Sequence, residues 1–339
     1  MNELTREEVK AVVERRGLKR VPMHRMDYLT TGVIKRYGKE TLQELHSRYP
    51  DDIVPFWYPW PDWDSLTRNN LRDASPIDSR IIIEDYSDID GIVEKIGELS
   101  KTVDFTGADT LRTENPERYC MGYTWYGIWH RLWMLRGMEN AFVDFYENPD
   151  ETKKLLRAIC DFHLAAIHHY GKLGYDAVMT SDDLGGQNTT LFSKAIFDEF
   201  FRPLYNELFA CAHSYGMHMW MHSCGHVIPL IDDLIEAGLD VLHPIQHSTY
   251  PGTVSANDIA EVTKRFKGRI TFWAGIDVQY LMPLGTPDEV RKGVRELIDT
   301  FSSADGGMII GAGNAIMTET PYENIEVFYD EAYKYGNKE

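Results

Sequence analysis

Short stretches of apolar and β-branched residues alternate with longer amphipathic patterns through the second half of the chain. Stretches of the first kind predict strands, whereas apolar residues spaced three and four apart predict helices. The predicted strands lie in residues 176–183, 218–225, 240–246, 269–277 and 307–316. The predicted helices between them cover residues 193–216, 228–238 and 287–301. Strands separated by crossovers of a dozen or more residues pair in parallel, so the alternation predicts an α/β fold with a parallel sheet.

Polar residues that could carry chemistry cluster at one end of these predicted strands. The strands end on Asp182 and Asp183, on His222 and Cys224, on Gln246, on Asp277 and on Asn314. A closed barrel gathers residues from many strand ends at one rim, whereas an open sheet concentrates its site at one switch point. Eight βα units over 339 residues average ~42 residues each, which suits a barrel with insertions. We therefore predict a (β/α)8 TIM barrel, and we find no glycine-rich dinucleotide or phosphate loop after any strand.

The first residues of the chain predict a separate helix. Thr5 and Glu8 have the spacing of a capping box, and Val9, Val12 and Val13 share one face of the helix that follows. We expect an N-terminal helical extension in residues 1–20 that packs outside the main core, followed by one barrel domain in residues 21–339. A segment rich in aromatic residues and prolines, 54–63, predicts rigid extended or turning structure instead of helix.

Charge and cysteine content restrict the class of protein. Lys and Arg number 35 against 53 Asp and Glu, and the resulting net charge of −18 disfavours nucleic acid and anionic membrane surfaces as partners. The four cysteines lack paired spacing, which indicates a reducing compartment. The first residues lack an apolar signal region, and no stretch reaches the ~18 apolar residues of a membrane span. These features predict a cytoplasmic protein and give no indication of its oligomeric state.

The most specific local feature is the sequence His222-Ser223-Cys224 at a strand end. Residues two apart in a strand share a face, so the imidazole and the thiol should project together toward the barrel axis. Imidazole nitrogen and thiolate sulfur are zinc ligands, and a catalytic zinc takes three protein ligands and keeps one open position. A packed histidine beside a buried thiol is the alternative interpretation. His243 and His247, on either side of Gln246, are weaker metal candidates.

Asp182 and Asp183 are candidates for catalysis or for structural capping. Because neighbouring side chains alternate, one of the two should point inward and the other outward. Either carboxylate could instead cap the loop that follows. Gln246 and Asp277, at two other strand ends, are the candidates for contact with a cofactor. His130 is expected to be a packed or surface histidine.

Three late segments resemble the uroporphyrinogen decarboxylase superfamily. They are HSCGHVIPLIDDLIEAGLDVLHPIQ, ITFWAGID and GGMIIGAGNAI, and an earlier segment that ends in DAVMTSDDLGG matches the middle of the family. The resemblance runs from about residue 8 to residue 335 and is loose before about residue 120. It implies a (β/α)8 fold and points to the zinc-dependent, corrinoid-linked methyltransferase branch, which includes O-demethylase and methylcobalamin:coenzyme M methyltransferases.

The resemblance also implies a set of metal ligands. The H-x-C that supplies two zinc ligands in this branch corresponds to His222 and Cys224. The branch often has its third ligand as the cysteine of a G-C-x-I segment, where this chain has Asn314 between Gly313 and Ala315. We therefore expect a carboxylate of Asp182 or Asp183, ahead of Asp277, to complete the ligand set.

The expected function is methyl transfer between a small methylated substrate and the cobalt of a corrinoid (cobalamin) protein partner. Asp182, Asp183 and Asn314 are the candidate catalytic residues beside the zinc. The aromatic segments 54–63 and 123–133 favour a flat substrate such as an aromatic methyl ether. Decarboxylation of a tetrapyrrole is the alternative, but residues 21–32 contain Arg25 as their only base, and a polyanionic substrate needs several fixed cations. A catalytically silent binding module of the same fold is a further alternative.

Overall fold

Seven parallel strands form one curled sheet in the computed structural model, which describes residues 2–25, 31–59, 61–66, 81–248 and 250–337. Each strand pairs with the next strand along the chain, in the order β1 to β7. The strands are β1 (Ile53–Trp57), β2 (Tyr119–Thr124), β3 (Ala177–Ser181), β4 (His218–His222), β5 (Val241–His243), β6 (Thr271–Ile276) and β7 (Met308–Ala312). All five strands predicted in the second half of the chain are confirmed, as β3 to β7.

A short segment near the start of the chain closes the sheet into a ring. The backbone N–H of His24 donates to the carbonyl of Ile310 in β7, and Ile310 N–H donates to the carbonyl of Pro22. On the other side, the N–H of Asp52, next to β1, donates to the carbonyl of Met23. Residues 22–24, the closing segment, therefore lie between β7 and β1. Eight chain segments surround one axis, and the predicted (β/α)8 barrel is confirmed.

Helices connect and surround the strands. They are α1 (Arg6–Val13), α2 (Thr31–Tyr37), α3 (Lys39–Arg48), α4 (Ile89–Lys101), α5 (Ala108–Glu114), α6 (Ile128–Arg136), α7 (Met138–Glu147), α8 (Pro149–Leu173), α9 (Lys194–Ile196), α10 (Arg202–Ser214), α11 (Ile228–Ala237), α12 (Ile259–Phe266), α13 (Leu281–Leu284), α14 (Pro287–Phe301) and α15 (Tyr322–Gly336). A π-helical turn, Phe197–Phe201, joins α9 to α10, and a 3₁₀ turn, Trp63–Leu66, follows the proline-rich segment. The predicted helices correspond to α9–α10, α11 and α14. Every helix in the described ranges is too short or too polar to cross a membrane.

Two apolar clusters hold the fold together. The larger one lies between the sheet and the surrounding helices. The smaller one fills the barrel interior, where Trp220 and Trp273 are fully buried and meet edge to face with their ring centroids 6.0 Å apart. Successive strand residues alternate between the two clusters, as Met219 and Trp220 do, because side chains alternate along a strand. These wide aromatic rings fill the part of the barrel interior in which they lie.

Helix α1 covers the end of the barrel at which the strands begin. The predicted capping box between Thr5 and Glu8 is present. The N–H of Gly307, one residue before β7, donates to the carbonyl of Val12. Val9 and Val13 belong to the same cluster as the barrel interior. The helix thus lies outside the larger apolar cluster, as expected, but its valine face also completes the barrel interior at that end.

Candidate metal centre and adjoining cavity

Three side chains that can bind a metal converge at the opposite rim, where β3 and β4 end. One ligand atom each from Asp183, His222 and Cys224 lie within 4.8 Å of one another. The sulfur of Cys224 is 3.2 Å from Nε2 of His222, and Oδ1 of Asp183 is 3.4 Å from the same nitrogen. The predicted shared orientation of His222 and Cys224 is thus present in the structure, together with one of the two predicted aspartates.

The loops after β3 and β4 hold Cys224 in place through backbone contacts. The N–H of Cys224 donates to Oδ1 of Asp183 at 2.8 Å, and its carbonyl accepts from the N–H of Gly185 at 3.3 Å. Gly225 has a φ of +80°, and a Cβ atom there would lie 2.0 Å from the carbonyl oxygen of Gly185. The approach of the two loops therefore requires glycine, which has no Cβ atom and tolerates positive φ.

The charges of the cluster stabilise one another. Burial would raise the pKa of Asp183, but the hydrogen bond and charge of His222, together with His130 and the N–H of Cys224, bring this pKa well below its ordinary value. Burial would likewise lower the pKa of His222, but its interactions with Cys224 and Asp183 raise it to about 10. The site therefore favours a cationic group between Asp183 and Cys224.

The second nitrogen of His222 faces away from the cluster. Nδ1 of His222 lies 2.7 Å from Nδ1 of His243, and Nε2 of His243 lies 3.0 Å from the carbonyl oxygen of Ala312. His243, a weaker metal candidate in the sequence, thus lies on the side of His222 that faces away from Cys224 and Asp183. His247 lies in another direction, with its Nδ1 3.0 Å from the carbonyl oxygen of Ile245.

The structure does not bring Asp182 into the cluster. This carboxylate is fully buried and accepts hydrogen bonds from the backbone N–H groups of Ile128 and His130, each at 2.7 Å, and from the hydroxyl of Tyr205 at 2.8 Å. It therefore has a structural role, but it caps the first turn of α6 and not, as the sequence suggested, the loop that follows it. Burial raises its pKa. A Cβ atom at Gly127 would lie 2.5 Å from Oδ2 of Asp182, so glycine permits this contact.

His130 has a position that the sequence does not reveal. It is a packed histidine, 7% exposed, and its Nε2 is 3.6 Å from Oδ2 of Asp183. It therefore stands beside the carboxylate oxygen that points away from His222. No local pattern predicts this contact, because it depends on α6 folding across the end of β3.

The remaining candidate residues lie around the cluster. The amide nitrogen of Asn314 is 3.4 Å from the sulfur of Cys224. Oε1 of Gln246 accepts from the N–H of Gly225 at 2.8 Å. Asp277 accepts from the backbone N–H groups of Gln279, at 2.8 Å, and Tyr280, and from the hydroxyl of Ser248, so this carboxylate organises the loop after β6 and ties it to the loop after β5.

A small cavity of about 60 Å³ opens next to Cys224, at the ends of β5, β6 and β7. Polar side chains and backbone share its lining: Cys224, Pro244, Gln246, His247, Gly275, Ile276, Asp277, Val278, Gln279, Gly313 and Asn314. The residues predicted to contact a cofactor and the candidate sulfur ligand thus face the same space.

Aromatic rings stand on the other side of the cluster. Trp125, just after β2, lies 5.5 Å from the ring of His222. Trp57, at the end of β1, stacks on Tyr123 at 3.7 Å and lies 5.6 Å from Trp125. Trp57 is 42% exposed. These rings, drawn from both aromatic segments of the sequence, provide a continuous apolar surface at the rim, with the planes of Trp57 and Trp125 tilted by 58°.

The donor set suits zinc. Carboxylate oxygen, imidazole nitrogen and thiolate sulfur are all ligands of this borderline-soft ion, and three protein ligands leave one position open. A metal-bound histidine usually directs its other ring nitrogen to a hydrogen-bond partner, as His222 does toward His243. His222, Cys224 and Asp183 are therefore the residues that would hold the ion.

Comparisons with known proteins agree with this architecture. The family model for uroporphyrinogen decarboxylase (URO-D) matches residues 81–335. The methylated-thiol–coenzyme M methyltransferase of Methanosarcina mazei is 25% identical over 202 residues, which cover 57% of this chain and 47% of the relative. This chain thus matches about half the length of that curated relative.

A solved structure gives the same fold. The structure of a methyltransferase from Methanosarcina mazei superposes with a TM-score of 0.69 at 14% identity, covering 98% of this chain and 99% of the other. At this identity the likeness shows the (β/α)8 architecture. The URO-D match itself covers all strands from β2 to β7 and with them the rim that carries Asp183, His222 and Cys224. The chain belongs to the uroporphyrinogen decarboxylase (URO-D) family.

Proposed function

We propose that this protein is a zinc-dependent methyltransferase that exchanges a methyl group between a small methylated substrate and the cobalt of a corrinoid protein. One observation carries the proposal: the ligand atoms of Asp183, His222 and Cys224 converge at the barrel rim, beside a small cavity that opens to solvent. The methyltransferase names of the similar proteins from Methanosarcina mazei support it.

We assign Asp183 as the third ligand in this proposal. Asp182 is occupied by the first turn of α6, and Asp277 by the backbone of its own loop. Asp183 alone of the three has an oxygen beside Nε2 of His222. A carboxylate in place of a second thiolate makes a harder and more Lewis-acidic centre.

The metal and the partner would supply the reactive chemistry. Zinc bound by these residues supplies Lewis acidity toward the heteroatom that carries the methyl group, and a corrinoid partner supplies the cobalt that exchanges it. The chain itself binds and orients the substrate. The side-chain amides of Gln246, Gln279 and Asn314 offer donors and acceptors inside the cavity.

The aromatic rings favour an aromatic methyl ether as the methyl donor. Trp125 lies next to His222, and Trp57 continues the apolar surface toward solvent. A methoxyarene that stacks there places its ether oxygen toward the metal ligands. Stacked aromatic pairs contribute about 0.5–1.5 kcal/mol beyond the burial of their area.

Transfer to or from a small thiol is the second candidate. The name of the curated relative, a methylated-thiol–coenzyme M methyltransferase, favours it. A zinc ion held by the same three ligands would then stabilise a substrate thiolate, because a bound cation lowers the pKa of a coordinating thiol.

The test combines metal analysis with a substrate panel. Purified protein is assayed for zinc and for methylation of free cob(I)alamin by methoxyarenes, methylamines and methyl thiols. We expect one zinc per chain and activity with a methoxyarene. Cys224→Ala should lose both, whereas Cys211→Ala, a matched change on the outer helix α10, should keep both. Absence of zinc and of methyl transfer, or decarboxylation of uroporphyrinogen by the same preparation, would overturn the proposal.

A further inference from the structure

A buried chain of hydrogen bonds runs from the candidate metal centre to the main chain of β7. His222 and His243 are paired residues of the neighbouring strands β4 and β5, so their rings stand at the same level of the barrel. They are 3% and 1% exposed. The chain passes from Nδ1 of His222 to Nδ1 of His243 over 2.7 Å, and from Nε2 of His243 to the carbonyl oxygen of Ala312 over 3.0 Å.

The direction of these hydrogen bonds follows from the terminal group. A carbonyl oxygen only accepts, so Nε2 of His243 must carry the hydrogen that it donates to Ala312. A neutral imidazole has one N–H, which leaves Nδ1 of His243 as an acceptor. Nδ1 of His222 must then be the donor, and Nε2 of His222, which faces Cys224 and Asp183, is the nitrogen that can bind a metal ion in exchange for its hydrogen.

The surroundings of His243 favour its neutral form. Its ring packs on Trp273 with centroids 4.0 Å apart, deep in the barrel interior. Among the described residues, none of the ion pairs involves His243. A buried cation without a carboxylate beside it is unfavourable, so the ring keeps a single hydrogen.

We propose that His243 is a positioning residue that sets the tautomer and ring orientation of His222, so that Nε2 of His222 is the nitrogen that binds zinc. The inference rests on the proposed zinc site. Histidine ligands commonly donate their second N–H to a carboxylate, a carbonyl or water, and loss of such a partner typically weakens metal binding 10–100-fold. Here an imidazole takes that role, and the carbonyl of Ala312 fixes its own orientation.

The first arm of the test measures zinc affinity by competition with a chelator in four proteins. These are the unmodified protein, His243→Phe, His243→Asn and His163→Phe. Phe removes the acceptor and should weaken zinc binding roughly 10–100-fold. Asn places an amide oxygen near the position of Nδ1 and should recover most of the affinity. His163 is an equally buried histidine on α8, outside this hydrogen-bond chain, so His163→Phe should leave the affinity unchanged.

The second arm needs no variant. Long-range ¹H–¹⁵N spectra of the zinc-loaded protein, labelled at histidine nitrogen, report which ring nitrogens carry hydrogen. We expect hydrogen on Nδ1 of His222 and on Nε2 of His243, with a metal-shifted Nε2 at His222. The opposite tautomer of either ring overturns the inference, even if His243→Phe fails to fold.

The two proposals fail in different ways. If the unmodified protein binds no zinc, the proposed function fails. If it binds zinc and His243→Phe binds it equally well, the positioning role of His243 fails while the zinc site stands. Equal weakening in the Asn and Phe variants also contradicts the inference, because it would show that the ring is needed for packing alone.

Discussion

The side-chain nitrogen of Asn314 lies 3.4 Å from the sulfur of Cys224. The methyltransferase branch that the sequence resembles often has its third ligand, a cysteine, at this position, and this chain has an amide there instead. An N–H directed at a thiolate withdraws electron density from the sulfur, as other hydrogen bonds to charged groups do. The rim thus places one candidate sulfur ligand, with an amide N–H directed at it, beside the oxygen of Asp183.

Replacing Asn314 by cysteine should shift the metal preference of the site. The variant would offer two sulfur atoms, and soft ions gain more from thiolates than zinc does. We expect the ratio of cadmium to zinc affinity to rise at least tenfold, and turnover with methoxyarenes to fall. Competition titrations with the two ions measure this shift. Asn314→Ala, which removes the amide without adding a ligand, is the control, and an unchanged ratio in the cysteine variant would contradict the placement of Asn314.

The neighbouring carboxylates Asp182 and Asp183 should respond oppositely to the same substitution. Asp183→Asn should weaken zinc binding by at least tenfold with little change in unfolding free energy. Asp182→Asn should keep zinc but lower the free energy of unfolding by about 1–3 kcal/mol, because one buried donor at α6 or Tyr205 loses its acceptor. Zinc titration and urea unfolding of both variants measure the two effects. Zinc loss in Asp182→Asn alone would reverse the assignment.

The exposed ring of Trp57 should contribute to binding of aromatic substrates. Its removal in Trp57→Ala exposes Tyr123 and Trp125 and removes one face of the apolar surface. We expect KM for methoxyarenes to rise by about 2- to 10-fold, the equivalent of one stacking contact, with kcat less affected. Methylamines, which have no ring, provide the internal comparison. Tyr146→Ala, a more exposed aromatic residue on α7, should leave both values unchanged. A purely structural role for Trp57 would raise KM for both substrate types.

Buried His163 should make the fold sensitive to acid. Burial, together with the charge of Arg131, lowers its pKa from 6.5 to about 3. Because the unfolded chain binds a proton that the folded chain rejects, the free energy of unfolding decreases as pH falls from about 6.5 toward 3. The Phe side chain of His163→Phe is neutral at every pH. Between pH 7 and pH 5 the free energy of unfolding of this variant should therefore decrease by about 2 kcal/mol less than that of the unmodified protein. Urea unfolding at the two pH values measures the difference, and parallel losses would show that His163 titrates normally.

The barrel strands and the shared orientation of His222 and Cys224 at the rim could be predicted from hydrophobic patterning and from the alternation of side chains along a strand. Hydrophobic alternation identified β3 to β7, and the period of two in a strand placed His222 and Cys224 on one face. The same rule required Asp182 and Asp183 to point in different directions, but it could not tell which one faces the site. That choice depends on where α6 begins, because its first N–H groups bind Asp182.

Other features depend on contacts between distant parts of the chain. The bond between His222 and His243 follows from the register of β4 with β5, which hydrophobicity does not encode. The closing segment, with Pro22 and one bridge to Ile310, carries little strand signal of its own. The valine face of α1 was visible in the sequence, yet a valine face fits the outside of a barrel as well as its end.

The closing segment has a consequence for the order of assembly. Residues 22–24 lie between β1 and β7, so the ring contains a pairing between the beginning of the chain and residue 310. During synthesis from the N-terminus, β1 to β6 can associate in turn, but the ring stays open until β7 has left the ribosome. Helix α1 contacts the residue before β7 as well as the start of β2, so its packing is complete only then. The growing sheet therefore has an unpaired edge strand, which is prone to aggregation, during most of translation.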